Sequence, residues 1–173
     1  MNYREKLTDI AEKFNGITNE CSIELSPPAT MNEIVQIQQK VQVEYKKGLI
    51  GTKYANASIR LPDCLISLFS ENFQSVDFSW YDLNDEIFSK LDQGLKEVEC
   101  GAFELSLDDL VVDIFNWTGW EDCFSNWKDY STTKPKYEFD TLFPFLSIMN
   151  GDVIVIVTSG VDKHKVVYLN HET

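Results

Sequence analysis

Apolar side chains recur at helical spacing in four parts of the chain. In each part they lie three or four positions apart, so they share one face of a helix. The four predicted helices cover residues 4–14, 31–46, 62–73 and 106–115. Thr30 and Glu33 have the spacing of a capping box at the start of the second helix. Pro62 suits the first turn of the third helix, because that N–H would be unpaired in any case.

The fourth helix is predicted to begin after Ser106, whose hydroxyl would cap it. Asp108 and Asp109 would then lie in the first turn, where the helix dipole favours acids. The pattern predicts one continuous buried face for this helix: Leu107, Leu110, Val111, Ile114 and Phe115.

Strand patterns fill much of the remaining sequence. Apolar and polar residues alternate over 76–81, which is the period of a half-buried strand. Further strands are predicted at 22–25, 102–105, 145–148, 152–158 and 165–169. Residues 153–157 are apolar on both faces, so this strand is predicted to lie in the middle of a sheet, next to the last strand. No periodic pattern is visible in 118–140.

The order of these elements predicts an α+β fold. A length of 173 residues fits one domain. Within residues 1–173, we expect a helix and an extended link at 1–29 and the core at 30–173.

Charge adds information about partners. The chain has 28 acids and 15 bases, a net charge of −13. Between residues 76 and 121 there are twelve acids and only two bases, Lys90 and Lys96. Such a surface repels nucleic acid and anionic membranes and attracts basic proteins. The alternative is that the charge serves only solubility.

The N-terminus and the cysteines indicate the cellular compartment of the protein. No stretch has the ~18 apolar residues of a membrane span, and the charged N-terminus does not resemble a signal peptide. The four cysteines, Cys21, Cys64, Cys100 and Cys123, contain no CxxC pair. We therefore expect reduced, half-buried thiols in a cytoplasmic protein.

Catalytic motifs are mostly absent from the sequence. His164 and His171 have no carboxylate or cysteine at the spacing of a zinc site. The segment 48–53 resembles a phosphate-binding loop but fails its spacing and order. Neither a catalytic residue nor a cofactor is therefore predicted. A divalent cation held by the acids near residue 85 is an alternative, although a solvated acidic face is favoured.

The stretch 117–127 combines large rings with acids outside any regular period. This composition is typical of interface centres, although such rings also cap cores beneath loops. Together with the acids after the strand at 76–81, it gives the candidate partner-binding residues: Asp82, Asp85, Glu86, Trp117, Trp120, Glu121 and Asp122.

The chain resembles the SUKH superfamily over roughly 30–172. The resemblance rests on the capped helix with Glu33, Leu61-Pro62 before a second helix, the strand with Trp80, the Asn150-Gly151-Asp152 turn and the closing strand Val166-Val167-Tyr168-Leu169. Two departures are the missing glycine at Glu71-Asn72-Phe73 and an end at 173 where members usually continue into a helix. The resemblance implies a central, mostly antiparallel sheet flanked by helices, and no cofactor.

Many bacterial members of that superfamily are immunity proteins that neutralise a toxin, and fungal relatives regulate cell-wall synthesis. The resemblance therefore implies a non-enzymatic protein that binds a cognate toxin, which could be basic because it acts on nucleic acid. A regulatory module for host proteins or a small ligand is the alternative, and an enzyme using the acidic cluster is a third hypothesis. No direct binding to nucleic acid or membrane is expected, and the oligomeric state is left open.

Overall fold

The computed structural model describes residues 3–14, 18–83, 100–130, 134–148 and 151–170. Two compact units can be distinguished, residues 1–29 with 68–106 and residues 30–67 with 107–173. Both contain helix and antiparallel sheet, so the predicted α+β class is confirmed. The described strands form two sheets of three strands, which differs from the one central sheet that the SUKH resemblance implies.

The first unit is a three-stranded sheet with a helix against one edge strand. Its elements are α1 (Tyr3–Phe14), β1 (Thr18–Leu25), β2 (Ser75–Leu83) and β3 (Cys100–Ser106). The strand order is β1-β2-β3, with both pairings antiparallel. Val76 faces Leu105 across the sheet, and both side chains are buried. The predicted strand at 76–81 is therefore confirmed.

The second unit combines several helices with a three-stranded sheet. Its elements are α2 (Met31–Gly48), α4 (Leu110–Thr118), α5 (Glu121–Ser125), α6 (Trp127–Tyr130), the 3₁₀ helix η1 (Phe139–Thr141), β4 (Leu142–Ser147), β5 (Val153–Val157) and β6 (Val166–Leu169). Helix α3 (Asp63–Glu71) follows α2 in the sequence. The division between the two units falls within this helix, between residues 67 and 68. In the second unit α2 packs on α4, and α4 packs on β4.

Helix α2 begins as its sequence predicts. The Thr30 hydroxyl accepts the N–H of Glu33, and the Glu33 carboxylate accepts the N–H of Thr30 at 2.7 Å. The hydrogen bonds that the Glu33 carboxylate accepts from the backbone N–H and from the hydroxyl of Thr30 hold its pKa below its ordinary value. The buried face of α2 comprises Ile34, Ile37, Val41 and Tyr45.

The helix after β3 starts later than predicted. Ser106 is the last residue of β3, and α4 begins only at Leu110 after a turn. The predicted cap at Ser106 is therefore wrong. Asp109 takes the cap position without a side-chain cap bond, and with Asp108 it remains close to the positive end of the helix dipole.

Strand β5 lies in the middle of the second sheet, as predicted. Its neighbours β4 and β6 both run antiparallel to it. In the hairpin that leads to β6, His164 adopts a positive φ of 74°, and its N–H donates to the carbonyl of Val157. The prediction of β6 as a neighbour of β5 is confirmed.

Asp162 anchors this hairpin to the segment before η1. Its carboxylate lies 2.7 Å from Lys136 Nζ and 2.5 Å from Lys165 Nζ, and it accepts the hydroxyl of Tyr137 at 3.0 Å. The hydrogen bonds from Lys136, Lys165 and Tyr137 hold the pKa of Asp162 far below its ordinary value.

Candidate protein-binding surfaces

The predicted acids after residue 81 are placed only in part. Asp82 is a residue of β2, one position before its end. Asp85 and Glu86 lie outside the described residues. The proposed role of these three acids in partner binding therefore stays a prediction.

Strand pairing brings three other acids into one row across the first sheet. Glu24 of β1 lies opposite Asp77 of β2, and Asp77 lies opposite Glu104 of β3. Directly opposite residues share one face of a sheet, and all three side chains are exposed. We call Glu24, Asp77 and Glu104 the acidic row. The sequence indicated Asp77 and Glu104 but missed Glu24, which only the register of β1 brings to them.

The acidic row is unfavourable for folding. Like charges directly opposite each other oppose the pairing, on the scale of about 0.2–1 kcal/mol for a cross-strand pair. The next row on the same face is neutral, with the hydroxyls of Ser22 and Ser79 hydrogen-bonded at 2.8 Å. The result is a polar sheet face with a concentrated negative charge that the stability of the sheet does not require.

Trp117 belongs to the core of the second unit. Its side chain is fully buried and stacks on Phe139, with the ring centroids 4.7 Å apart and an angle of 1° between the planes. Tyr45, Tyr54 and Phe124 also contact the ring of Phe139. The hypothesis that Trp117 contacts a partner is corrected accordingly, because a fully buried ring has no surface to offer.

Trp120, Glu121 and Asp122 lie at the start of α5. The Trp120 ring is half-buried and stacks on Trp117, with centroids 6.2 Å apart. Glu121 accepts the hydroxyl of Ser125, and the exposed Asp122 accepts Asn126 Nδ2 at 2.6 Å. Trp120 therefore has a side chain that is held against the core and is still partly accessible to a partner.

A cleft of about 330 Å³ opens beside Trp120 in the second unit. The residues that line it come from α4, the start of α5 and the turn between β4 and β5: Asn116, Trp117, Trp120, Ser147, Ile148, Gly151, Asp152 and Val153. Asp152 is the only charged residue among them, and its side chain is buried. Its Oδ2 accepts the hydroxyl of Tyr168 on β6.

A second buried carboxylate lies just behind the cleft. Asp113 of α4 accepts the backbone N–H of Ser147 at 2.9 Å and so ties the helix to the end of β4. Burial raises the pKa of Asp113 above its ordinary value, while the hydrogen bonds from Ser147 oppose the increase. The side chain of Asn116 also donates to Ser147, from Nδ2 to Oγ at 3.4 Å. Ser147 is therefore held in position on two sides.

The outer face of α4 carries two large apolar side chains, and one of them, Phe115, was predicted to be buried. Phe115 is 62% exposed and Val112 is 57% exposed. The prediction that Phe115 is buried is wrong, because Asp113 and Trp117 complete the inner face with Leu110 and Ile114. A signal was present in the sequence, since seven of the eleven residues 107–117 are apolar, more than one helix face can hold.

The described residues were also compared with the requirements of metal sites and of membrane-spanning helices. No group of three or more His, Cys, Asp or Glu side chains there is arranged to hold a metal ion, and this includes the acidic row. None of the described helices combines the length and the apolar character that crossing a membrane requires. The described thiols are Cys64, which is exposed rather than half-buried as expected, and the half-buried Cys123.

The chain was compared with protein families, curated proteins and solved structures. No family model, no curated protein and no solved structure matches the chain.

Proposed function

We propose that this chain is a non-enzymatic protein-binding domain whose partner is a basic protein. The observation that carries the proposal is the acidic row on the exposed face of the first sheet. Three carboxylates aligned across neighbouring strands oppose folding, so their presence is better explained by a ligand of opposite charge. A basic protein supplies that charge over an area that matches a sheet face.

A toxin that the chain neutralises is the partner class we propose first. Support comes from the resemblance to the SUKH superfamily, many of whose bacterial members are immunity proteins. A toxin that acts on nucleic acid is basic where it contacts phosphates, and acids of an inhibitor can take the place of those phosphates. The alternative is a regulatory module that binds host proteins or a small ligand, on the pattern of the fungal relatives.

The first experiment is a protection assay. Genes adjacent to the one that encodes this chain are expressed singly in a sensitive host, with and without the chain, and growth is measured. We expect one product to be toxic alone and harmless in the presence of the chain. If no neighbouring product is neutralised but a purified host protein binds, the regulatory alternative is supported instead.

The second experiment tests the acidic row itself with the variant Asp77→Asn. Asp77 is the middle carboxylate, so its neutralisation relieves both repulsive pairs, each on the scale of about 0.2–1 kcal/mol. We expect the variant to unfold at a slightly higher temperature and to associate more slowly with its partner. The rate difference should shrink as salt is raised, because charges are screened over ~10 Å at 0.1 M.

The matched control is Asp129→Asn, which neutralises an exposed acid of α6 outside the first sheet. It removes the same net charge without touching the row. If the two variants slow association equally, only the net charge matters and the acidic row is not the docking surface. An Asp77→Asn variant that binds its partner at the wild-type rate would also show that the acidic row is not the docking surface.

A further inference from the structure

The cleft beside Trp120 has the chemistry of a receptor for a cation. Its lining residues include Asp152, whose side chain is buried, together with Asn116, Ser147 and Trp120. None of the lining residues that the structure describes is basic. The buried Asp113 adds a second carboxyl group behind Ser147. Where little water is present, the attraction between opposite charges is stronger than at the protein surface.

Several contacts hold the described walls of the cleft in place. Stacking on Trp117 holds the Trp120 ring, and the Tyr168 hydroxyl holds the Asp152 carboxylate. The turn that carries Asp152 is closed by the bond from the N–H of Ile148 to the Asp152 carbonyl at 2.9 Å, and Gly151 within it has a φ of 95°. A ligand that enters therefore loses little free energy to the ordering of the walls.

We propose that this cleft receives the guanidinium group of an arginine side chain that the protein partner inserts. A guanidinium group has five N–H donors and no acceptor, which matches a carboxylate, an amide oxygen and a hydroxyl. Its flat face stacks on an indole, which a lysine ammonium does less well. A volume of about 330 Å³ lies at the small end of ligand pockets, so it suits one side chain better than a cofactor.

This inference rests on the proposed function, because it identifies one group of the basic partner. It adds a site in the second unit to the acidic row in the first. It also assigns a role to Trp120 and to Asp152, of which only Trp120 was a candidate from the sequence.

The test titrates the whole protein with N-acetyl-argininamide and follows the indole N–H signals by NMR. The Trp120 signal is assigned with the variant Trp120→Leu. The control ligand is N-acetyl-citrullinamide, which has nearly the same shape but no charge. We expect a saturable shift of the Trp120 signal with the arginine compound at a Kd on the order of millimolar, and binding about tenfold weaker for citrulline.

Two variants show whether the cleft is the site. Asp152→Asn keeps the shape and an acceptor for Tyr168 but removes the charge, and we expect it to weaken arginine binding about tenfold. Should that variant fail to fold, Asn116→Leu, at an exposed position of the same wall, should also weaken binding. The matched control Asp129→Asn should leave it unchanged.

Three results overturn the proposal. The first is the absence of a saturable shift up to about 50 mM of the arginine compound. The second is an equal response to the citrulline compound. The third is arginine binding that the cleft variants do not change. The outcome is independent of the acidic row, because the titration contains no partner. If arginine binding fails while Asp77→Asn still slows association with the partner, only the role of the cleft is refuted.

Discussion

The close contact between α2 and α4 gives the sharpest prediction about folding. A Cβ atom added at Gly48, the last residue of α2, would lie 2.6 Å from both Cβ and Cγ2 of Thr118 at the end of α4. Ordinary contacts of a Cβ begin at 3.4 Å. Because the Thr118 Cβ cannot rotate away, the variant Gly48→Ala must push the two helices apart.

The expected magnitude follows from two opposing effects. Alanine is favoured over glycine inside a helix by roughly 0.5–1 kcal/mol, and overpacking costs roughly 1–3 kcal/mol. Since the backbone itself must move, we place the overpacking near the upper limit and expect a net loss of about 2 kcal/mol. For a chain of this size, that lowers the melting temperature by roughly 4–8 °C.

The assay is thermal unfolding followed by tryptophan fluorescence, because Trp117, Trp120 and Trp127 all lie in the second unit. Thr118→Gly removes the atoms that clash and should restore most of the stability lost in Gly48→Ala. Lys47→Ala, at the neighbouring exposed position, should have little effect. A Gly48→Ala variant that melts higher than the wild type would refute the argument, because helix propensity alone would then decide.

Two further predictions concern the sheet of the second unit. Burial raises the pKa of Asp113, so the folded protein holds this proton more tightly than the unfolded chain. The contribution of Asp113 to stability therefore falls as pH rises through its raised pKa. Asp113→Asn should remove this slope in urea unfolding measured upward from the ordinary pKa of a carboxyl group, and an unchanged slope would contradict it. Ile156 is 4% exposed and Ile154 is half-buried, so Ile156→Ala should cost about 2–5 kcal/mol and Ile154→Ala clearly less. Equal losses in melting temperature would contradict that order.

Elements with a local cause were predictable from the sequence. The capping box at Thr30 depends on residues three positions apart, and the alternation at 76–81 depends on the pleat of one strand. The central position of β5 follows from its lack of a polar face. In each case the deciding interaction lies within the segment or follows from its composition.

Features that depend on tertiary contacts were not predictable. Phe139 occupies the centre of the aromatic cluster, although its surroundings in sequence show no period. The burial of Trp117 and the exposure of Phe115 are decided by which face of α4 meets α2 and β4. A helix with more apolar residues than one face can hold leaves that choice open until its neighbours are known.

The same limit applies to the candidate site. Composition indicated an acid-rich region, but the alignment of Glu24 with Asp77 and Glu104 depends on strand register. Asp152 lies far from Trp120 in sequence, and a pattern of single residues cannot bring them to one cleft.

Strand β5 also has a consequence for solubility. Its sequence, Val153-Ile154-Val155-Ile156-Val157, is β-branched throughout and uncharged, which is the composition of segments that nucleate fibrils. Pairing with β4 and β6 satisfies both of its edges, and β6 is kept in place by a hairpin tied through Asp162 to Lys136 and Tyr137. The low pKa of Asp162 keeps that tie charged well into acid. The contacts of Asp162 thus hold the hairpin through which β6 pairs with β5, and this pairing keeps a segment of fibril-forming composition within its own sheet.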